Sequence, residues 1–194
     1  MSDRFSFSKP KWNIVQDKKV WETPIFSLHQ IELFPDKKKK AVHFYRLAAP
    51  EWINVIALTP NNDILLVEQY RVGVDETTLE IPGGMVDAHE EPLMAARREL
   101  LEETGFRSDH WVKLGETSAN PAIQTNFTHL YLAKDCHKIQ EPENDGNEDI
   151  KVHIMPLNRF LELVKNGTIH HAIVLAAVAH YLLSEDSGSK NISR

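Results

Sequence analysis

Residues Gly84 to Phe106 read GMVDAHEEPLMAARRELLEETGF, and the reading of the whole chain works outward from them. Pro92 suits the first turn of a helix, where its missing N–H would have no partner in any case. Gly105 stands where a left-handed C-cap glycine belongs. The spacing predicts a helix over Glu91 to Thr104, entered from a glycine loop. At about 100° per residue, Leu93, Ala96, Leu100 and Thr104 form a stripe that faces a core, while Glu99, Glu102 and Glu103 share a neighbouring face. Glu99 and Glu103 are one turn apart, so their carboxylates can converge. Like charges at that spacing repel and destabilise a helix. A cation is therefore expected before them. Hard oxygen ligands select Mg2+, or Mn2+ in its place, over Zn2+, which prefers sulfur and imidazole. A merely solvated acidic face would not require glycines, apolar residues and Arg98 at fixed intervals among the acids.

The spacing runs Gly84, five residues, Glu90, seven residues, Arg98-Glu99, then Leu100, Glu102-Glu103, Gly105 and Phe106. It resembles the Nudix box, GX5EX7REUXEEXGU with U a bulky apolar residue, and meets all nine specified positions. With seven strict identities, a chance match at a given start is on the order of one in a billion. The box covers 23 of 194 residues. The resemblance implies a Nudix hydrolase, a metal-dependent pyrophosphatase that splits a nucleoside diphosphate joined to another group. It implies an α+β fold, the α/β/α sandwich in which a mixed sheet lies between helices. It further implies that Glu99 and Glu103 bind Mg2+, helped by Glu102 and a backbone carbonyl near Gly84, that Arg98 orients the glutamates, and that Glu90 pairs with an arginine of the helix.

A chain of 194 residues buries one good core and leaves room for a small second lobe. Its 42% hydrophobic and 26% charged content is that of a soluble globular protein. A formal charge of -6 opposes a general nucleic-acid binder, whose affinity rests on basic phosphate contacts. The lone Cys136 forms no internal disulfide, reads as a small half-buried filler and fits a reducing compartment. The stretch MSDRFSFSKPKW lacks an apolar run of signal-peptide length, and no 18-residue apolar span occurs, so a cytoplasmic protein without membrane contact is expected.

In chain order, strand-like runs occur around Trp12 to Val20, Ile25 to Phe34 and Ala41 to Leu47, with turn chemistry at Glu22-Thr23-Pro24 and Pro35-Asp36. Lys37 to Lys40 reads as a solvated hairpin tip rather than a phosphate patch. Residues 1–48 thus form an antiparallel β lobe too small to stand alone, which must lean on the main domain or a partner subunit. In the ADP-ribose pyrophosphatase branch of the Nudix family the comparable segment is exchanged between subunits, so the resemblance implies a homodimer. Ala48-Ala49-Pro50 reads as the joint, 49–185 as the hydrolase domain and 186–194 as a disordered tail.

Trp52 to Leu58 and Ile64 to Arg71 are near-continuously apolar, as strands covered on both faces are. A short strand, Thr77 to Ile81, leads into Pro82-Gly83-Gly84. Glu68-Gln69-Tyr70-Arg71 and Leu79-Glu80-Ile81-Pro82-Gly83-Gly84 resemble the EQYR and LE-P-G segments of the same branch. That resemblance makes Arg71 a candidate to hold substrate phosphate with its planar fork. The residues alone equally allow a strand-end ion pair of Arg71 with Glu68 or Glu80, and Glu80 is either a supplementary metal ligand or that partner. Trp111 to Ser118 and Asn126 to Ala133 read as strands that enclose Ala119 to Thr125. Pro121 lies fifteen residues past Phe106, where a family proline marks enzymes of ADP-ribose and related sugars. The acid that many such enzymes carry nearby is replaced by Gln124-Thr125-Asn126.

The loop Glu141 to Asp149 is acidic and broken by Pro142 and Gly146. In the resembling enzymes it supplies the base that activates water; Glu148 is the choice here, with Asp145 and Asp149 as alternatives. The chain closes with a strand at Ile150 to Met155 and helices at Leu157 to Lys165 and Thr168 to Leu183, the last presenting Ile173, Ala176, Ala177 and His180 on one face. The face that carries His180 reads as packing, and His170, His171 and His180 do not read as a metal cluster, since no acid stands near them at zinc spacing. Trp12, Phe44, Trp52 and Tyr70 are the aromatic surfaces on which a base could stack, each read first as core, with Trp52 the candidate for substrate contact. The expected activity is Mg2+-dependent hydrolysis of ADP-ribose or a related nucleoside diphosphate sugar, with GDP-mannose or dinucleotides as second choices. The alternative from another class is a catalytically silent Nudix module that binds a nucleotide sugar or a protein. Intact Glu99, Glu102 and Glu103 weigh against it.

Overall fold

The computed structural model describes residues 12–35, 40–143 and 149–189. The chain divides into two units, one made of the residues up to Ala49 together with Asn120–Thr125, the other of Pro50–Ala119 and Asn126 onward.

In the first unit, β1 (Trp12–Glu22), β2 (Ser27–Pro35) and β3 (Val42–Ala48) form an antiparallel sheet in the order β1-β2-β3. The Thr23 hydroxyl donates to the Phe26 carbonyl at 2.8 Å and accepts the Phe26 N–H at 3.0 Å, so the turn extends through Phe26 and β2 starts at Ser27, not Ile25. Every side chain of β1 is exposed. Trp12 and Phe44 meet edge to face at 6.1 Å, yet are 46% and 49% exposed. This corrects the expectation that they are core, and Tyr70 of the second unit, 57% exposed, is corrected likewise. Within the first unit the sheet is a single layer, and alternate side chains of a single layer have no second layer to bury against. Of the Lys37 to Lys40 run, only Lys40 lies among the described residues, and it is exposed.

The second unit contains β4 (Trp52–Ala57), β5 (Asp63–Arg71), β6 (Glu76–Glu80), β7 (Gly83–Met85), α1 (Pro92–Thr104), β8 (Phe106–Arg107), β9 (His110–Thr117), β10 (Thr128–Lys134), β11 (His137–Lys138), β12 (Lys151–Pro156), α2 (Leu157–Lys165) and α3 (Ala172–Ser189). One sheet has the order β7-β4-β10-β9, with β4 and β10 parallel and the other pairs antiparallel; a second has the order β12-β5-β6. The alternation along β4, β5 and β10 builds two cores. Ile53, Val55, Leu65 and Tyr131 pack with Ala95, Ala96 and Leu100 of α1. Ile56, Leu66, Leu130 and Leu132 pack with Phe160 of α2 and Ile173, Val174, Ala177 and Val178 of α3. Sheets therefore lie between helices, and the fold is the α+β sandwich expected. Cys136 is buried in the first core, where desolvation pushes its thiol up to about 12.

Both boundaries of the last helix and its buried face differ from expectation. The last helix begins at Ala172 because the Asn166 side chain accepts the Thr168 N–H at 3.0 Å, a local turn that competes with helix. That helix continues through Ser189, into the segment expected as a disordered tail, since each added residue gains a backbone hydrogen bond once the helix is nucleated. Its buried stripe is Ile173, Val174, Ala177, Val178 and Tyr181, displaced by a fraction of a turn from the face that carries His180. Among the described residues no helix is long and apolar enough to cross a membrane.

Candidate active site

Helix α1 has Pro92 in its first turn and ends on Gly105 at φ 74°, whose N–H donates to the Leu101 carbonyl at 2.8 Å. One face, with Ala96, Leu100 and Thr104, is fully buried. The adjoining edge carries Arg98, Glu99, Glu102 and Glu103 toward β7 and the loop before it. Gly84 of β7 lies directly under Glu99: a Cβ placed there would stand 2.3 Å from the Glu99 Cδ. Its neighbour donates the Gly83 N–H to Glu103 Oε2 at 2.9 Å, and Glu103 is only 6% exposed. A Cβ on Gly83 would meet the Ile53 carbonyl at 2.4 Å, so both glycines are required by close approach. Asn54 donates long hydrogen bonds from Nδ2 to the Ile81 and Pro82 carbonyls, at 3.5 and 3.4 Å, and pins this loop from beneath.

Arg98 is the hub of the edge. Its Nε and Nη2 donate to the two Glu90 oxygens at 3.1 and 2.9 Å, Nη1 donates to Glu99 at 2.8 Å and to Glu102 at 3.1 Å, and Nη2 also donates to the Met85 carbonyl at 3.0 Å. Hydrogen bonding to Glu90, then to Glu99 and Glu102, raises the arginine pKa further and outweighs its partial burial. The same bond from Arg98 holds the Glu90 carboxyl below the usual carboxylate range. One guanidinium thus sets the orientation of three carboxylates and of the glycine strand. Glu99 is turned to Arg98 and Glu103 to the Gly83 N–H; among the described residues no three acidic, histidine or cysteine side chains form a ready cluster about one point. The donor set nonetheless fits a hard divalent ion, since it offers carboxylate oxygens over a glycine whose missing Cβ leaves the carbonyls of β7 approachable.

At the end of β5, Arg71 donates from Nε and Nη2 to the Glu80 oxygens at 2.9 and 2.8 Å. Of the two partners the residues allowed, the structure selects Glu80; Glu68 instead accepts from His153 at 2.6 Å. Glu80 is buried, with its side chain 2% exposed. Burial alone would raise its pKa, but hydrogen bonds from Arg71, His171 and Thr78 outweigh it and hold the carboxyl far below the usual range. Trp52 is half-buried, pairs across β4 with Met85 of β7, and packs on the second core. Pro121 is exposed in a turn that belongs to the N-terminal unit. Glu148 and Asp145 lie outside the described residues. The start of their loop is tied to α1, since the Glu143 N–H donates to the Glu102 carbonyl at 2.7 Å and the Ile139 N–H to the Gly105 carbonyl at 2.9 Å. A cavity of about 550 Å³ lined by Thr104, Phe106, Lys138, Asp149, Ile150 and Lys151 opens there. Sequence reasoning did not single out Asn54 or Thr78, and it named His171 only to set aside a metal cluster. The partners of Asn54 and His171 lie on other elements, whereas Thr78 meets Glu80 two residues along its own strand.

A family model described as the NUDIX domain matches residues 50–178. The chain belongs to the Nudix family. It is 28% identical to the ADP-ribose pyrophosphatase of Bacillus subtilis (strain 168), over 88% of this chain and 95% of that protein. It is 32% identical to the methanol dehydrogenase activator of Bacillus methanolicus, over 70% and 74%, and 30% identical to the GDP-mannose pyrophosphatase of Cronobacter sakazakii (strain ATCC BAA-894), over 62% and 66%. The crystal structure of an ADP compounds hydrolase superposes with a TM-score of 0.79 at 22% identity, covering 95% of this chain and 98% of that one, which shows the shared Nudix fold. The chain is therefore a Nudix pyrophosphatase, of a class that works with divalent metal.

Proposed function

We propose that this Nudix enzyme hydrolyses the diphosphate of ADP-ribose, or of a related nucleoside diphosphate sugar, with Mg2+ as cofactor and Mn2+ as a substitute. The products are a nucleoside monophosphate and a sugar phosphate. The observation that carries the reading is the single helix edge on which Glu99 lies against Gly84 and Glu103 against the Gly83 N–H, with Arg98 organising both sides. The relatives named as ADP-ribose and GDP-mannose pyrophosphatases support the substrate class.

On this reading Glu99, Glu103 and Glu102 hold Mg2+ with the Gly84 carbonyl. Bound there, the ion supplies neutralisation of the phosphate oxyanions and a lowered pKa for bound water. Arg98 keeps Glu99 and Glu102 aimed, so little reorganisation remains when substrate arrives. Arg71 presents its fork to a phosphate, and Trp52 is the candidate contact for the nucleoside. Glu148 accepts a proton from water as the water oxygen bonds to one phosphorus and the bridging P–O bond breaks, its electrons leaving on the departing phosphate. The Glu143 N–H donates to the Glu102 carbonyl at 2.7 Å, and this tie at the start of the acidic segment supports that role; Asp149 and Asp145 are the alternatives. The exposed apolar side chains of β1 to β3 support a homodimer.

The test is chromatographic release of AMP and ribose 5-phosphate from ADP-ribose with Mg2+, alongside a panel of nucleotide sugars. Glu103→Gln is expected to lower kcat/KM by about a hundredfold or more. If no compound is cleaved faster than an EDTA control, the reading is wrong. The relative named as a methanol dehydrogenase activator favours a second reading, a module acting on a partner enzyme. That reading is preferred if free nucleotide sugars are bound but left intact.

A further inference from the structure

The buried Glu80 carboxylate is clamped from three elements. Arg71 grips both oxygens from β5, the Thr78 hydroxyl donates to Oε1 at 2.6 Å from β6 itself, and His171 meets Oε2 from its Nδ1 at 3.0 Å. His171 stands just before α3, where its carbonyl accepts the Leu175 N–H at 3.0 Å, so the start of that helix sets where the ring lies. A carboxylate accepts, so in this contact Nδ1 is the donor, turned to Glu80 Oε2. Glu80 is followed by Ile81-Pro82-Gly83-Gly84, the loop that seats Glu103 and Glu99. Arg71 and His171 both reach solvent, their side chains 41% and 36% exposed against 2% for Glu80.

We propose that His171 is a positioning residue for the phosphate-binding arm of the enzyme. By sharing Glu80 Oε2 with Arg71 Nη2, it prevents the carboxylate from rotating, and a carboxylate that cannot rotate holds the guanidinium plane in one orientation. A planar fork binds a phosphate's oxygens only when its plane is set, which gives that restraint its value. The inference rests on the reading that Arg71 meets substrate phosphate. It assigns a role to a residue 91 positions from Glu80 and outside the Nudix box.

The test compares the wild type with His171→Ala, His171→Asn, Arg71→Ala and the Arg71→Ala/His171→Ala double variant. Steady-state hydrolysis of ADP-ribose with Mg2+ is read beside calorimetric binding of α,β-methylene ADP-ribose. His171→Ala is expected to raise KM and weaken analogue binding by about five- to tenfold while kcat stays within about twofold, the loss of one charge-assisted hydrogen bond acting on orientation. Asn places an amide N–H near the position of Nδ1 and is expected to restore most of the affinity. In the Arg71→Ala background, removing His171 is expected to change nothing further. Equal losses in His171→Ala and His171→Asn, or a His171→Ala effect that persists without Arg71, would overturn the proposal. So would unchanged binding in His171→Ala when Arg71→Ala binds weakly. If Arg71→Ala itself binds as the wild type does, or the wild type fails to bind the analogue, the Arg71 reading falls and this inference with it. Binding by the wild type without hydrolysis refutes the activity alone, and the binding comparisons still decide the role of His171.

Discussion

Gly84 and Glu99 illustrate how one absent methyl group builds a site. Replacing Gly84 by alanine would set a Cβ 2.3 Å from the end of the Glu99 side chain. The obstructing atoms belong to a flexible side chain, so Glu99 will swing away before the backbone moves. Gly84→Ala is expected to leave Tm within about 2 °C of wild type while kcat/KM falls about tenfold or more; thermal unfolding and kinetics on the same sample check it. Glu80 makes a second prediction at this scale. Its carboxyl is depressed in the folded protein, so its stabilising contribution is complete above the unfolded value, about 4.3, and is lost as pH falls below that toward the folded value. Glu80→Gln should therefore be less stable than wild type by about 1–3 kcal/mol near neutrality. The gap should close on acidification below about pH 4.3. Urea titrations at a series of pH values measure this, and parallel curves would refute it.

At the scale of the element, α1 depends on its end as much as on its faces. Gly105 is left-handed at φ 74°, and a Cβ there would also lie 2.1 Å from the Gln140 carbonyl oxygen, which is backbone and cannot turn aside. Gly105→Ala is expected to cost more than about 2 kcal/mol, combining αL strain with that collision. Gly73, with nothing within 4 Å of a built Cβ, is the control. Gly73→Ala should stay within about 0.5 kcal/mol. Because the Ile139 and Gln140 N–H groups donate to the Gly105 carbonyl, the same substitution should also loosen the start of the acidic loop and lower activity beyond the loss of folded protein.

For the molecule as a whole, the N-terminal sheet poses a solubility problem that a second subunit would solve. Val15, Trp21 and Tyr45 are 60%, 66% and 55% exposed, and of the apolar side chains described in this unit Ile31 alone is buried. Apolar area of that kind on a small sheet marks an association surface. Sedimentation equilibrium is expected to return twice the chain mass of 22.2 kDa. Trp21→Glu should weaken association by about tenfold or more, the cost of burying a charge in place of an aromatic ring. A wild type that sediments as a monomer at tens of micromolar would remove the dimer from the account.

What the residues alone determined was whatever depends on near neighbours in the chain. Pro92 and Gly105 bounded α1 because caps are set within a turn, and the continuous apolar runs of β4 and β5 announced two covered faces because a strand's burial is written in its own alternation. The acidic edge was legible for the same reason, Glu99 and Glu103 being one turn apart. Only the tertiary structure decided what those acids touch. Glu103 is turned to the Gly83 N–H, Arg71 to Glu80 rather than Glu68, and Glu80 to a histidine 91 residues away. Such partners meet through sheet register and helix docking, and neither a motif nor a period records them. The exposed aromatics of β1 and β3 belong to the same class, since whether a strand's apolar side is covered depends on layers that lie elsewhere in the chain or on another molecule.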